Sequence, residues 1–119
     1  TYLKSHVEET GGSINRQRTQ FRLAELQTRI DAAHLLVYRA AAQWSAGESF
    51  GTEAAMAKYY ATDIANEAAR TCAQLMGNEG VTYGNRVEQF FRDAKITEIY
   101  EGTNEIQLMV IAGQLGLKA

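Results

Sequence analysis

A chain of 119 residues is long enough for one domain with its own core, and its 45% hydrophobic content is ordinary for a globular protein. A net charge of -2 gives no electrostatic footprint for nucleic acid. The single cysteine, Cys72, excludes an intramolecular disulfide and suits a reducing compartment, and no apolar run reaches the ~18 residues of a membrane span.

Proline is absent and alanine is frequent, both of which favour helix. No segment alternates with period two, so no sheet is expected. Residues Thr1 to Glu9 read as the tail of a helix; they lack the apolar segment of a signal peptide, and Thr10-Gly11-Gly12-Ser13 breaks them. A long helix is predicted from about Arg16 to Ser45, ended by Gly47. Its apolar stripe is Leu23, Leu26, Ile30, Ala33, Val37, Ala41 and Trp44. At ~1.5 Å per residue it spans roughly 45 Å, long enough that one end should pack on something outside this chain.

A second helix is predicted from about Thr52, as N-cap, to Met76, with the stripe Ala57, Ala61, Ile64, Ala68, Cys72 and Leu75. These small side chains let a neighbouring helix approach closely. Gly77-Asn78-Glu79-Gly80 ends it. A shorter helix, about Arg86 to Lys95, presents Val87, Phe90, Phe91 and Ala94. The last, from Asn104 to about Leu115, is apolar on most sides, which marks it as buried or interfacial. Short connections make neighbours antiparallel, so the expected fold is an all-α, up-and-down four-helix bundle forming a single domain over residues 1–119.

The stretch most informative about function runs from Arg92 to Gln107. A carboxylate, Glu101, is followed directly by Gly102, between a helix that leads in and a helix that leads out. Gly102 has no Cβ, so its backbone can come close to a ligand. Thr103 is placed to cap the last helix, and Glu105 lies in that helix's first turn, where negative charge suits the dipole. On composition alone Glu101 is an ordinary exposed glutamate. Its neighbours Ile99 and Tyr100 point instead to a partly buried apolar loop, where desolvation would make the carboxylate a better base near neutral pH. Elsewhere, His6 and His34 are not spaced as a metal pair. Cys72 reads as a small core residue, and Trp44 and the tyrosines as core or interface aromatics.

The run Arg92-Asp93-Ala94-Lys95, followed by Ile99-Tyr100-Glu101-Gly102-Thr103-Asn104-Glu105-Ile106-Gln107, resembles the C-terminal signature of the acyl-CoA dehydrogenases. The resemblance extends back to about Gln17. It implies that the chain is the C-terminal helical domain of a flavoprotein that oxidises an acyl thioester to its 2,3-enoyl product. Glu101 would be the catalytic base, its N–H would help to hold the thioester oxygen, and Tyr100 and Gly102 would line the substrate site. Thr103 and Glu105 match positions that touch the flavin. Gln17 matches a glutamine near the FAD pyrophosphate. Gln74-Leu75-Met76-Gly77-Asn78-Glu79-Gly80 is similar to the family motif Gln-x-x-Gly-Gly-x-Gly, whose loop approaches the adenosine half of an FAD held by a neighbouring subunit. Gln74 and Gly77 are the flavin contacts it implies; Asn78 replaces the middle glycine, and Asn tolerates left-handed geometry.

One departure lies upstream. Many members carry Arg-x-x-Phe-Gly before the long helix and contact FAD with it, whereas this chain has His6-Val7-Glu8-Glu9-Thr10-Gly11, whose acidic pair would repel a pyrophosphate. That change is compatible with a divergent branch, so a flavin-dependent monooxygenase or acyl-CoA oxidase on the same scaffold stands as an alternative. A non-catalytic helical oligomerisation module is a third reading. The partners expected by resemblance are FAD, acyl-CoA or another acyl thioester, an electron-transfer partner and further copies of the chain in a dimer or tetramer. No metal and no nucleic acid are expected. The location expected is the cytoplasm, or the mitochondrial matrix in a eukaryote, and the isolated chain should be inactive.

Overall fold

A computed structural model describes residues 2–8 and 10–117, and of Ser13 only the backbone. In chain order the elements are α1 (Tyr2–Ser5), a 3₁₀ turn (Ser13–Asn15), α2 (Gln17–Ser45), α3 (Gly51–Met76), a second 3₁₀ turn (Gly77–Val81), α4 (Arg86–Ile96) and α5 (Asn104–Gln114). The all-α expectation holds: there is no strand among the described residues, and α2 to α5 are the four predicted helices. The 29-residue α2 accounts for most of the longest dimension, 52 Å.

Helix ends follow the local chemistry with two corrections. Gly47 (φ 73°) and Gly77 (φ 63°) take left-handed backbone just after α2 and at the end of α3, as their positions predict. Thr52 does not cap α3. The helix starts one residue earlier, because the Phe50 carbonyl already accepts from Ala54 N (2.8 Å), which puts Thr52 inside the first turn. Asn85 caps α4, its Oδ1 accepting from Val87 N at 2.9 Å. Asn78 has no need of left-handed tolerance, since its loop closes as a 3₁₀ turn and Glu101 is the only non-glycine residue with positive φ among those described. In that turn Gly80 lies flat on α3, where a Cβ would stand 2.3 Å from the Ala73 carbonyl oxygen. The N-terminal helix ends at Ser5, earlier than the glycine pair that was expected to break it.

The four helices share α3 as their common neighbour: α2, α4 and α5 each pack along it. The core is thin. Leu26 and Ala33 of α2 meet Ile64 of α3, with Ile30, Tyr60, Ala61 and Ala68 packed around them. Buried Ala55, Ala57 and Ala73 keep α3 narrow enough for neighbours to approach on several sides. A polar seam adds to the α2–α3 contact. Glu67 accepts from both Arg22 and Arg29, and Arg29 also reaches Asp63 at 3.1 Å.

Three of the seven residues of the α2 stripe, Val37, Ala41 and Trp44, are not used inside this chain. Leu23 to Ala33 face the core, but Val37 and Trp44 are 45% and 68% exposed. This is the helix end expected to pack on something else. Helix α5 buries no residue fully, and its Ile106, Leu108, Met109 and Val110 remain exposed.

Candidate functional site

The chain turns back on itself between α4 and α5, and Glu101 stands at that turn. Ile96 O accepts from Tyr100 N (3.0 Å) as α4 unwinds, and Glu98 O accepts from Asn104 N (3.0 Å) as α5 begins. Between them Glu101 (φ 55°) and Gly102 (φ 86°) take consecutive left-handed conformations. Glycine adopts that geometry freely, but a residue with a Cβ is strained there by roughly 1–2 kcal/mol. Gln107 Nε2 faces the turn from α5, 3.5 Å from each of the Glu101 and Gly102 carbonyl oxygens.

This geometry leaves the N–H groups of Glu101 and Gly102 without a hydrogen-bond partner among the described residues. The Glu101 carboxylate forms no ion pair there either. Its acidic neighbours are engaged: Glu98 pairs with Lys95. The Glu105 carboxyl is held below the usual carboxylate range, first by its own backbone N–H and then by the Thr103 hydroxyl. Thr103 caps α5 as predicted, its Oγ1 accepting from Ile106 N at 3.3 Å. The partly buried apolar setting expected for Glu101 is not supplied by this chain. Glu101 is exposed, and Ile99 and Tyr100 are 54% and 52% exposed, because only the α3 side of the turn is covered.

The residues that fix the turn from beneath were not found in the sequence. Asn104 Oδ1 accepts from Lys58 Nζ (2.8 Å) and from Thr62 Oγ1 (3.0 Å), and Asn66 Nδ2 donates to the Ala94 carbonyl (2.9 Å). Lys58, Thr62 and Asn66 recur every four residues on α3, a polar stripe beside the apolar one. That spacing is the signal that was available.

The predicted site residues fall into two clusters. Tyr100, Glu101, Gly102, Thr103 and Glu105 share the α4–α5 corner. Gln17 and Gln74 meet at the other end of the domain, in an open groove of about 790 Å³ between the start of α2 and the end of α3. Gly77 lines an adjoining hollow with Gln74 and Arg16. Lys58, under the first cluster, and Gln74, in the second, are sixteen residues apart on α3, or roughly 24 Å at 1.5 Å per residue. Sequence reasoning missed two members of the groove, Arg18 and Arg70, which line it and form no ion pair among the described residues. With the amides of Gln17 and Gln74 they line the groove with hydrogen-bond donors, beside the Glu25 carboxylate. Of the acidic pair upstream, Glu8 is exposed and Glu9 lies outside the described residues.

The profile of the family described as acyl-CoA dehydrogenase, C-terminal domain, matches residues 1–116, and the chain belongs to that family. It is 44% identical over 111 residues to the short/branched chain specific acyl-CoA dehydrogenase of Rattus norvegicus mitochondria, covering 93% of this chain and 26% of the relative. It is 43% identical over 114 residues to an acyl-CoA dehydrogenase of Bacillus subtilis, covering 96% of this chain and 30% of that protein. The solved butyryl-CoA dehydrogenase of Megasphaera elsdenii superposes with a TM-score of 0.81 at 44% identity, over 83% of this chain and 26% of that one. The chain thus spans between a quarter and a third of the length of these relatives.

Proposed function

We propose that this chain is the C-terminal helical domain of an FAD-dependent acyl-CoA dehydrogenase-like oxidoreductase, and that Glu101 is the base of a 2,3-dehydrogenation of an acyl thioester. The observation that carries the reading is the turn itself: a carboxylate without an ion pair on a strained left-handed residue, next to two unpaired N–H groups. Removing the α-proton of a thioester leaves enolate-like charge on its carbonyl oxygen, and a fixed N–H aimed at that oxygen stabilises it. Glu101 takes the proton and its own N–H donates to the oxygen, while Tyr100 and Gly102 flank the acyl chain. FAD, when bound, supplies the acceptor for the hydride that leaves the β-carbon. Thr103 and Glu105 would contact that flavin.

For the groove at the far end of α3 we propose contacts to FAD: Gln17 toward the diphosphate, Gln74 and Gly77 toward the adenosine half, and Arg18 and Arg70, which line the groove, as cations in place of the absent Arg-x-x-Phe-Gly arginine. Because the groove and the Glu101 corner lie at opposite ends of one helix, we read the groove as serving the flavin of a neighbouring copy in a dimer or tetramer. The exposed apolar faces of α2 and α5 supply the surface for that assembly. Desolvation of Glu101 then comes from parts of the flavoprotein outside this chain and from the substrate, and the isolated chain is inactive. In the complete flavoprotein a separate electron-transfer partner would take up the electrons. Among the described residues no helix is long and apolar enough to cross a membrane. The deciding experiment is anaerobic flavin bleaching by a saturating acyl thioester in the complete flavoprotein carrying Glu101→Gln.

A further inference from the structure

We infer that Lys58, Thr62 and Asn66, a polar ladder on one face of α3, are positioning residues that hold both flanks of the Glu101 turn, with Lys58 as the member on which its placement most depends. The inference rests on Glu101 being the base for its kinetic arm, but not for its structural arm.

The ladder grips the corner at two points. On the outgoing side, Asn104 Oδ1 accepts from Lys58 Nζ at 2.8 Å and Thr62 Oγ1 at 3.0 Å, while Asn104 N donates to Glu98 O at 3.0 Å. One residue therefore ties α3, the chain just past the end of α4 and the first turn of α5 together. On the incoming side, Asn66 Nδ2 donates to Ala94 O at 2.9 Å, a carbonyl that also accepts from Thr97 Oγ1 at 2.6 Å. The two grips lie eight residues apart on α3, a base of roughly 12 Å that the helix keeps fixed. The turn bridges that base, so a shift of Asn104 tilts Glu101 directly.

Lys58 is the strongest of these groups. Its side chain is half-buried and its ammonium forms no ion pair among the described residues; it is directed instead to a neutral amide oxygen. A charge-assisted bond of this kind is stronger than the neutral bonds from Thr62 and Asn66. A lysine serving only solubility would keep its ammonium in water. None of the ladder groups touches the Glu101 carboxylate, so their effect on that group passes through the backbone of the turn; the Lys58 charge also attracts the Glu105 carboxylate.

The test uses the complete flavoprotein with Lys58→Met, which keeps the aliphatic stem and removes the cation, Lys58→Arg, which keeps the cation, and Glu101→Gln as reference. Hydrogen exchange of the segment 99–104 is read against that of the α2–α3 core around Ile64. In Lys58→Met, exchange of segment 99–104 accelerates while the core stays protected. Flavin reduction falls by about 10- to 100-fold, the cost of a misplacement near 1 Å, and the thioester Kd stays within about twofold. Lys58→Arg recovers most of the rate. The inference is overturned if Lys58→Met reduces flavin at the wild-type rate per folded, flavin-loaded site while Glu101→Gln does not. It is equally overturned if segment and core lose protection together, which marks a merely structural lysine. If Glu101→Gln keeps its rate, the base assignment falls, and the exchange of segment 99–104 alone decides the ladder. Should Lys58→Met fail to fold, Thr62→Val removes one neutral bond and is read in the same way, with a smaller loss expected.

Discussion

Gly102 lies so close to Gln107 that a Cβ on residue 102 would stand 2.8 Å from Gln107 Nε2. The amide is the far end of a flexible side chain and can swing aside, so the contact itself is cheap to relieve. The φ of 86° is not. Gly102→Ala should therefore cost roughly 1–2 kcal/mol, the usual strain of a side chain in left-handed backbone. Denaturant unfolding checks this, with the midpoint lowered and the slope unchanged.

Glu101 carries the opposite prediction. It has a side chain where glycine would be at ease, so the fold tolerates strain at this residue. Glu101→Gly should stabilise the domain by up to about 1 kcal/mol while abolishing flavin reduction. Glu101→Gln keeps the strain and the N–H, so substrate binding should survive. Loss of a general base costs about 10² to 10⁴ in rate. Glu98, paired with Lys95, and Glu105, held at the start of α5, are not placed to rescue it. Bleaching by Glu101→Gln within about threefold of wild type, far less than that loss, would remove Glu101 from the mechanism.

Association should follow the exposed apolar faces. Leu108, Met109 and Val110 are 45%, 58% and 41% exposed on a helix that buries nothing fully. We expect an interface above the ~1,000 Å² of a biological contact, so sedimentation of the domain should give a dimer or larger species. Met109→Glu should shift it to monomer; a monomer already in the wild type at high concentration would refute the interface.

Flavin affinity should be split between chain and assembly. The groove with Gln17, Gln74, Arg18 and Arg70 lies open between α2 and α3, so a ligand in it stays largely uncovered by a single copy. Calorimetric titration of the isolated chain with FAD should show no sub-micromolar binding. In the complete flavoprotein, Arg18→Gln with Arg70→Gln should lower FAD retention on dialysis.

The acid dependence of stability has a defined sign at Glu105. Its folded-state carboxyl is held below the ordinary range by its own N–H and the Thr103 hydroxyl. A depressed carboxyl contributes stability that is present above the unfolded-state value and is lost as pH falls through the folded-state value. Thermal midpoints of Glu105→Gln should therefore lie below wild type at neutral pH and converge with it once the carboxylates are protonated.

Much of the architecture is written locally. Helix limits, the glycine stops at Gly47 and Gly77 and the Thr103 cap depend on residues within a turn of each other, so period and capping chemistry reach them. Thr52 went the other way because a backbone carbonyl, Phe50 O, took the first helical bond before a side chain could. The order of residues around Glu101 likewise marks the corner as the candidate site. Tertiary structure decided how that corner is held and what remains open. Asn104 meets Lys58 and Thr62 across 46 and 42 positions of sequence, a contact that no local pattern encodes and that arises only when α5 docks on α3. The same docking leaves Glu101 exposed instead of desolvated and sets the Gln17–Gln74 groove at the far end of α3. Local propensities fix a helix's limits and the stripe it can bury, but which stripe meets which, and which is left over for a neighbour, depends on the shape complementarity of surfaces that exist only once the chain has packed.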